Sequence, residues 1–168
     1  MITRRLALAV SAVLLLAAPA AAQSDETAVS RAMIATVDLC LSVLKGQANW
    51  QTGLNGLGYT TTSSGGRVKP VGSMVIASTM GSNTMRGATV KMCEITASPQ
   101  ISDKSQLNSA LRARAAGLPP MGSGPIEGGG VMDGYANLSG TGLIVLAITD
   151  RPGANGGRAT TSLSVIWK

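Results

Sequence analysis

Apolar residues recur at three- and four-residue steps between residues 28 and 45, which is the spacing of one face of an α-helix. The positions that carry this spacing are Val29, Met33, Val37, Cys40 and Leu44. Other apolar residues widen this face, and Gly46 follows as a helix stop. The pattern therefore predicts a first helix that packs against its surroundings on more than one side.

A strand-like pattern begins at residue 71. Segments 71–80 and 84–98 are rich in β-branched and small apolar residues, and the Gly-Ser-Asn sequence at 81–83 separates them. The two segments predict a β-hairpin with its turn at 81–83, and Cys93 lies in the second arm of that hairpin.

Helical spacing returns over residues 103–116, where Ser102 is the candidate N-cap and Gly117 follows the last turn. Three further strands are predicted after this second helix. They cover residues 130–138, 142–150 and 157–168. The unbroken apolar run at 143–148 predicts a strand that is buried on both faces.

These elements predict an α+β domain with the order α-β-β-α-β-β-β. Short connections favour a mainly antiparallel sheet, here of about five strands, with two helices on one face. Segments 46–70 and 117–130 are rich in glycine and polar residues, and both are predicted as long surface connections, the first with one short helical turn near residues 50–57.

The N-terminal residues have the composition of a secretory signal peptide of bacterial type. Arg4 and Arg5 precede an apolar stretch, and three alanines at 20–22 form a small-residue cleavage site. We therefore expect residues 1–22 to be cleaved and residues 23–168 to form one domain, in the periplasm or secreted. After cleavage we expect no transmembrane helix.

The chain contains two cysteines, Cys40 and Cys93, and an even number in an exported protein is typical of a disulfide. This bond would clamp the first helix onto the hairpin and stabilise the fold by about 4 kcal/mol on the chain-entropy model. A redox pair is disfavoured because the C-x-x-C spacing is absent.

Charge and composition exclude several classes of function. The net charge is +6, but the basic residues are dispersed and the chain has only two Trp, two Tyr and no Phe, so nucleic acid is not an expected partner. The chain has no histidine, which removes the Ser-His-acid and Cys-His arrangements and most zinc sites. We therefore predict no catalytic residue, no metal and no cofactor.

The glycine-rich segment 117–130 is not a phosphate-binding loop. It contains no lysine, and it follows a predicted helix and enters a strand, whereas nucleotide loops precede a helix. It is predicted as a helix exit and connector, with Met121, Ile126 and Glu127 as contact residues if it covers a partner.

Four residues form the predicted contact surface: Trp50, Tyr59, Met121 and Glu127. Aromatic residues in loop-rich segments are typical of interaction sites. The sequence therefore predicts a non-enzymatic binding or interaction module for an envelope protein or a glycan.

Two alternatives come from other classes of function. One is an envelope hydrolase that uses a pair of carboxylates, for which Glu94 and Asp133 are the candidates. The other is a structural component of the envelope, assembled by edge pairing through the C-terminal strand.

Overall fold

The computed structural model describes residues 17–115, 117–153 and 157–168. These residues form three helices and eight strands. The helices are α1 (Ala17–Leu44), α2 (Trp50–Gly56) and α3 (Ser105–Arg114). The strands are β1 (Thr60–Thr61), β2 (Arg67–Val71), β3 (Met74–Met85), β4 (Ala88–Ser98), β5 (Gly124–Pro125), β6 (Val131–Ala136), β7 (Leu143–Arg151) and β8 (Thr160–Trp167).

All eight strands pair antiparallel in one sheet, in the order β1-β2-β3-β4-β8-β7-β6-β5. Each half of the sheet is a meander of four consecutive strands, and the pairing of β4 with β8 joins the halves. The α+β class and the antiparallel sheet are thus confirmed. The strand number is eight rather than about five, and there are three helices rather than two.

The additional elements lie in the two segments predicted as connections. Segment 46–70 contains α2, β1 and β2, and segment 117–130 contains β5. Asn49 caps α2, its side chain accepting a 3.0 Å bond from the Thr52 amide, and the helix buries Leu54 completely. The short helical turn predicted near residues 50–57 is thus confirmed by α2. Local composition does not reveal β1, β2 and β5, because contacts with other segments stabilise these short strands.

The hairpin turn lies four residues later than predicted. Strand β3 continues through 81–83, and the chain reverses at Arg86 and Gly87, whose φ angles of 49° and 76° are those of a type I′ turn. The outer end of this hairpin is largely exposed, and its polar residues therefore resemble a turn. The N-cap of α3 is Lys104 and not Ser102.

The three helices pack on one face of the sheet and enclose the main core. Val29, Met33, Val37 and Cys40 of α1 are fully buried there, as the predicted apolar face requires. Strand β7 lies between β8 and β6, and six of its residues in succession are buried, which confirms the prediction for 143–148.

One helical segment in the described part of the chain, Asp25–Leu44, is long and apolar enough to cross a membrane. The sequence pattern predicts no membrane-spanning helix after residue 22, so this segment differs from that expectation. Its apolar side packs on β3, β4 and β8, which is the environment of a core helix in a globular domain.

Most of the predicted signal peptide, residues 1–16, lies outside the described residues. An apolar helix begins near the N-terminus, because α1 starts at Ala17, and this is compatible with a signal peptide. The carboxylates that attach α1 to the sheet layer follow soon after the predicted cleavage site. Asp25 accepts 3.0 Å bonds from the Ser73 amide and hydroxyl, and Glu26 accepts from the amides of Ser102 and Asp103.

Candidate functional site

The segment that follows α3 is hydrogen-bonded to strand β6. The Met121 amide donates to the Gly134 carbonyl at 2.8 Å, and the Ala136 amide donates to the Pro119 carbonyl at 3.0 Å. Between these bonds, Pro120 lies opposite Tyr135 as an isolated bridge. The first residues of segment 117–130 therefore extend the sheet edge and are more than a connector.

The glycine run at 128–130 forms the turn that leads into β6. All three glycines have positive φ angles, and the Gly129 amide donates to the Ile126 carbonyl at 3.2 Å. A Cβ atom at Gly130 would overlap the carbonyl oxygen of Asp150. Glycine is thus required here for backbone conformation and close approach, a structural role that composition alone could not distinguish from a binding loop.

Residues 121–126, which include strand β5, and Met132 line a cavity of about 240 Å³. The lining residues are Met121, Gly122, Ser123, Gly124, Pro125, Ile126 and Met132. We call this cavity the edge groove. Its side chains are mainly apolar and include two methionines, whose flexible thioethers adapt to different partners.

The edge groove contains strongly exposed apolar surface. Among the described residues, three large hydrophobic side chains are strongly exposed: Val75 at 44%, Met121 at 47% and Val131 at 49%. Met121 lines the groove beside β5, which is only two residues long, whereas Val131 lies on the opposite face of β6 from Met132. An extended peptide can pair with an open strand edge and place its side chains against exposed apolar residues beside that edge.

The four predicted contact residues do not form one surface. Met121 lines the edge groove and Glu127 is exposed on the adjacent turn. Trp50, at the start of α2, is partly buried against the main core.

Tyr59 is a core residue and not a surface contact, so its prediction was wrong. It is 4% exposed, and its hydroxyl lies 2.9 Å from the Thr36 Oγ1 atom of α1. Burial raises the pKa of Tyr59, although the bond with Thr36 opposes this effect. The signal for burial was Thr36 on the apolar face of the first helix, a polar group that needs a partner.

Cys40 of α1 and Cys93 of β4 are both completely buried, and their side chains are in contact. The predicted meeting of the first helix and the second hairpin arm is therefore observed. Both residues are free thiols in this structure, so the disulfide itself stays a prediction. Burial, together with the contact from Cys40, raises the pKa of Cys93 and keeps it protonated and unreactive.

The proposed carboxylate pair does not form. Strand register aligns Glu94 with Ser164, Ala147 and Gly134 across the sheet, so Glu94 lies on the face that carries no helix. Asp133 is the neighbour of Gly134 and faces the opposite side. The sheet therefore separates the two carboxylates, and this hydrolase hypothesis was wrong for that pair.

The route predicted for a structural component also fails, because the C-terminal strand β8 lies between β4 and β7 and has no free edge. Within the described ranges, no three His, Cys, Asp or Glu side chains form a group that could hold a metal ion.

Comparisons with family models, with curated proteins and with solved structures found no match for this chain. The function is therefore inferred from its own residues and their geometry.

Proposed function

We propose that this chain is an exported, non-enzymatic interaction module that binds an extended apolar segment of an envelope protein in the edge groove. The observation that carries this proposal is the exposure of Met121 in a groove that Ile126 and Met132 also line, beside the two-residue strand β5. Apolar side chains of the partner would enter the groove, and its backbone would lie along the open sheet edge.

A protein partner suits the groove better than a glycan does. Sugars are bound mainly by aromatic rings with planar polar groups, whereas the groove is lined by methionine, proline, isoleucine and small residues. The aromatic residues first assigned to contact do not contribute here, because Tyr59 is in the core and Trp50 packs against it.

Export and a disulfide between Cys40 and Cys93 belong to the same proposal. An exported chain reaches an oxidising compartment, and the two sulfur atoms already lie against each other between α1 and β4. Protein purified from the periplasm should begin at Gln23 and be two hydrogen masses lighter than its reduced form, as measured by intact mass spectrometry.

Binding is tested by placing a photo-crosslinking residue at Met121 in the exported protein. A matched site at Gln51, which is exposed on α2, serves as the control. We expect one discrete adduct from position 121 and none from position 51, and the adduct identifies a partner that can then be purified.

Titration of that purified partner provides the decisive comparison. Met121→Ser should weaken binding roughly tenfold, because an apolar contact of this size contributes about 1.4 kcal/mol. Val75→Ser removes a similarly exposed apolar side chain outside the groove and should leave the affinity unchanged. Equal effects of the two substitutions, or adducts that do not depend on position, would show that the edge groove is not the binding site.

A further inference from the structure

A second cavity, of about 230 Å³, lies between α3 and β6. Its polar lining consists of Asn108, Ser109, Arg112, Asp133 and Tyr135. We call it the polar cleft. It is separate from the edge groove, because Met132 of the groove and Asp133 of the cleft are neighbours whose side chains lie on opposite faces of the sheet.

Two regular elements position these side chains. Asn108 and Arg112 are four residues apart in α3 and therefore lie on the same side of the helix. Asp133 and Tyr135 are two residues apart in β6 and therefore share the face below that helix. Helix and strand thus place a guanidinium and a carboxylate around one cavity.

Tyr135 and Leu111 also line the cleft. The Tyr135 side chain is partly buried and packs against the main core. Leu111 is 2% exposed. The cleft therefore combines a buried leucine and a partly buried aromatic ring with two side chains of opposite charge.

Arg112 and Asp133 of the polar cleft differ from the nearby charged residues, which form ion pairs. Arg114 forms a bidentate pair with Asp38, and Lys104 lies 2.7 Å from Asp150. These are the two ion pairs in the part of the chain that the structure describes, so Arg112 and Asp133 line one cavity without pairing with each other.

We infer that the polar cleft binds a small zwitterion, a molecule with one carboxylate and one ammonium group and the size of an α-amino acid. Arg112 can donate two parallel bonds to a carboxylate, and Asp133 can accept from an ammonium group. The hydroxyl of Tyr135 and the amide of Asn108 would fix the ligand's orientation.

The charge pattern excludes simpler ligands. An anion alone would bring its charge near Asp133, and a cation alone would bring its charge near Arg112, so each gains one attraction and one repulsion. A zwitterion gains two attractions. The cavity is smaller than a drug-sized site, which favours a single amino acid or a dipeptide over a longer molecule. This inference does not rest on the proposed function.

The test titrates the mature protein with L-alanine and follows its backbone amides by NMR. We expect saturable shifts at residues 108–112 and 133–135 with a Kd of about 1 mM. Propionate and ethylamine each carry one of the two charges and should bind at least tenfold more weakly. Dialanine distinguishes a peptide from a free amino acid, and N-acetylglucosamine tests a neutral sugar.

Arg112→Gln and Asp133→Asn should each weaken L-alanine binding at least tenfold, with unchanged melting temperatures because both residues are exposed. Arg31→Gln, at an exposed arginine of α1, is the matched control and should keep the wild-type affinity. The inference is overturned if propionate or the sugar binds as tightly as L-alanine, if no amide of the cleft shifts, or if Arg31→Gln weakens binding as much as Arg112→Gln.

Discussion

Two glycines inside strands, Gly134 and Gly81, differ in how much room their surroundings leave for a side chain. A Cβ atom at Gly134 of β6 would lie 2.5 Å from the Leu146 carbonyl oxygen and 2.6 Å from the Ala147 Cα atom of β7. A Cβ atom at Gly81 of β3 would meet no heavy atom within 4 Å. Glycine at 134 is therefore needed for the close approach of β6 and β7, whereas the surroundings of Gly81 leave room for a side chain.

We predict that Gly134→Ala lowers the free energy of unfolding by about 1–3 kcal/mol, because β6 must move away from β7. Gly81→Ala should raise it by about 0.5 kcal/mol, since alanine restricts the unfolded chain without a clash. Urea denaturation of both variants gives these values. A stable Gly134→Ala protein would show that the β6–β7 spacing is looser than the structure indicates.

At the scale of elements, the contact of α1 with β4 depends on the state of Cys40 and Cys93. The pKa of Cys93 is raised above its ordinary value of 9.0 by burial and by Cys40. A raised pKa contributes stability that is present below about pH 9 and is lost at higher pH, because the unfolded chain then releases a proton that the folded chain retains.

We therefore predict that the reduced protein loses stability as the pH rises above 9, and that the oxidised protein does not show this loss from its cysteines. Urea unfolding between about pH 7 and 10.5, with and without reductant, measures the difference. The double variant Cys40→Ser, Cys93→Ser is the control, because it retains Tyr59, whose pKa is also raised. Identical alkaline profiles for reduced protein and double variant would contradict the prediction.

The sequence predicted the long periodic elements and the short helix near residues 50–57, but it missed the short strands. Helix α1 and strands β3, β4, β7 and β8 bury regular apolar patterns, which are visible locally. Strand β2 instead depends on other segments, since Lys69 donates to the Leu57 carbonyl at 2.6 Å and Arg67 to the Asn55 side chain at 2.9 Å. It has only five residues and contains a proline, so its pattern gives no clear strand signal.

In the candidate sites, too, some residues could be predicted from the sequence, and others depend on the packing of separate elements. Met121, Ile126 and Glu127 were candidates because long glycine-rich connections often carry function. Met132 was not a candidate, because only the pairing of β5 with β6 brings it beside residues 121–126. Arg112 and Asp133 lie on different elements, and only the packing of α3 over the sheet brings them to one cleft.

At the scale of the whole molecule, two carboxylates, Asp25 and Glu26, attach α1 to its surroundings, and a third, Asp103, accepts from the Ser105 amide at the start of α3. The Ser73 amide and hydroxyl lower the pKa of Asp25, and the Ser105 amide lowers that of Asp103. Burial tends to raise the pKa of Glu26, but hydrogen bonds from Asp103 and Ser102 outweigh it, so the net shift is downward. Lowered pKa values contribute stability that is present above about pH 4 to 4.5 and is lost as the pH falls further.

We predict that stability falls below about pH 4 and that the double variant Asp25→Asn, Glu26→Gln shows a smaller fall. Urea unfolding at several acidic pH values measures the slope for each protein. Glu127→Gln removes an exposed carboxylate remote from α1 and should retain the wild-type slope. The same slope in the double variant and the wild type would show that the attachment of α1 does not control acid unfolding.

The position of β8 has a consequence for how the protein is made. It is synthesised after every other described strand, yet it fills the gap between β4 and β7. The two meanders therefore cannot join while residues 160–167 remain inside the ribosome. If the chain is exported as proposed, this delay keeps the sheet open while the polypeptide passes through the secretion channel.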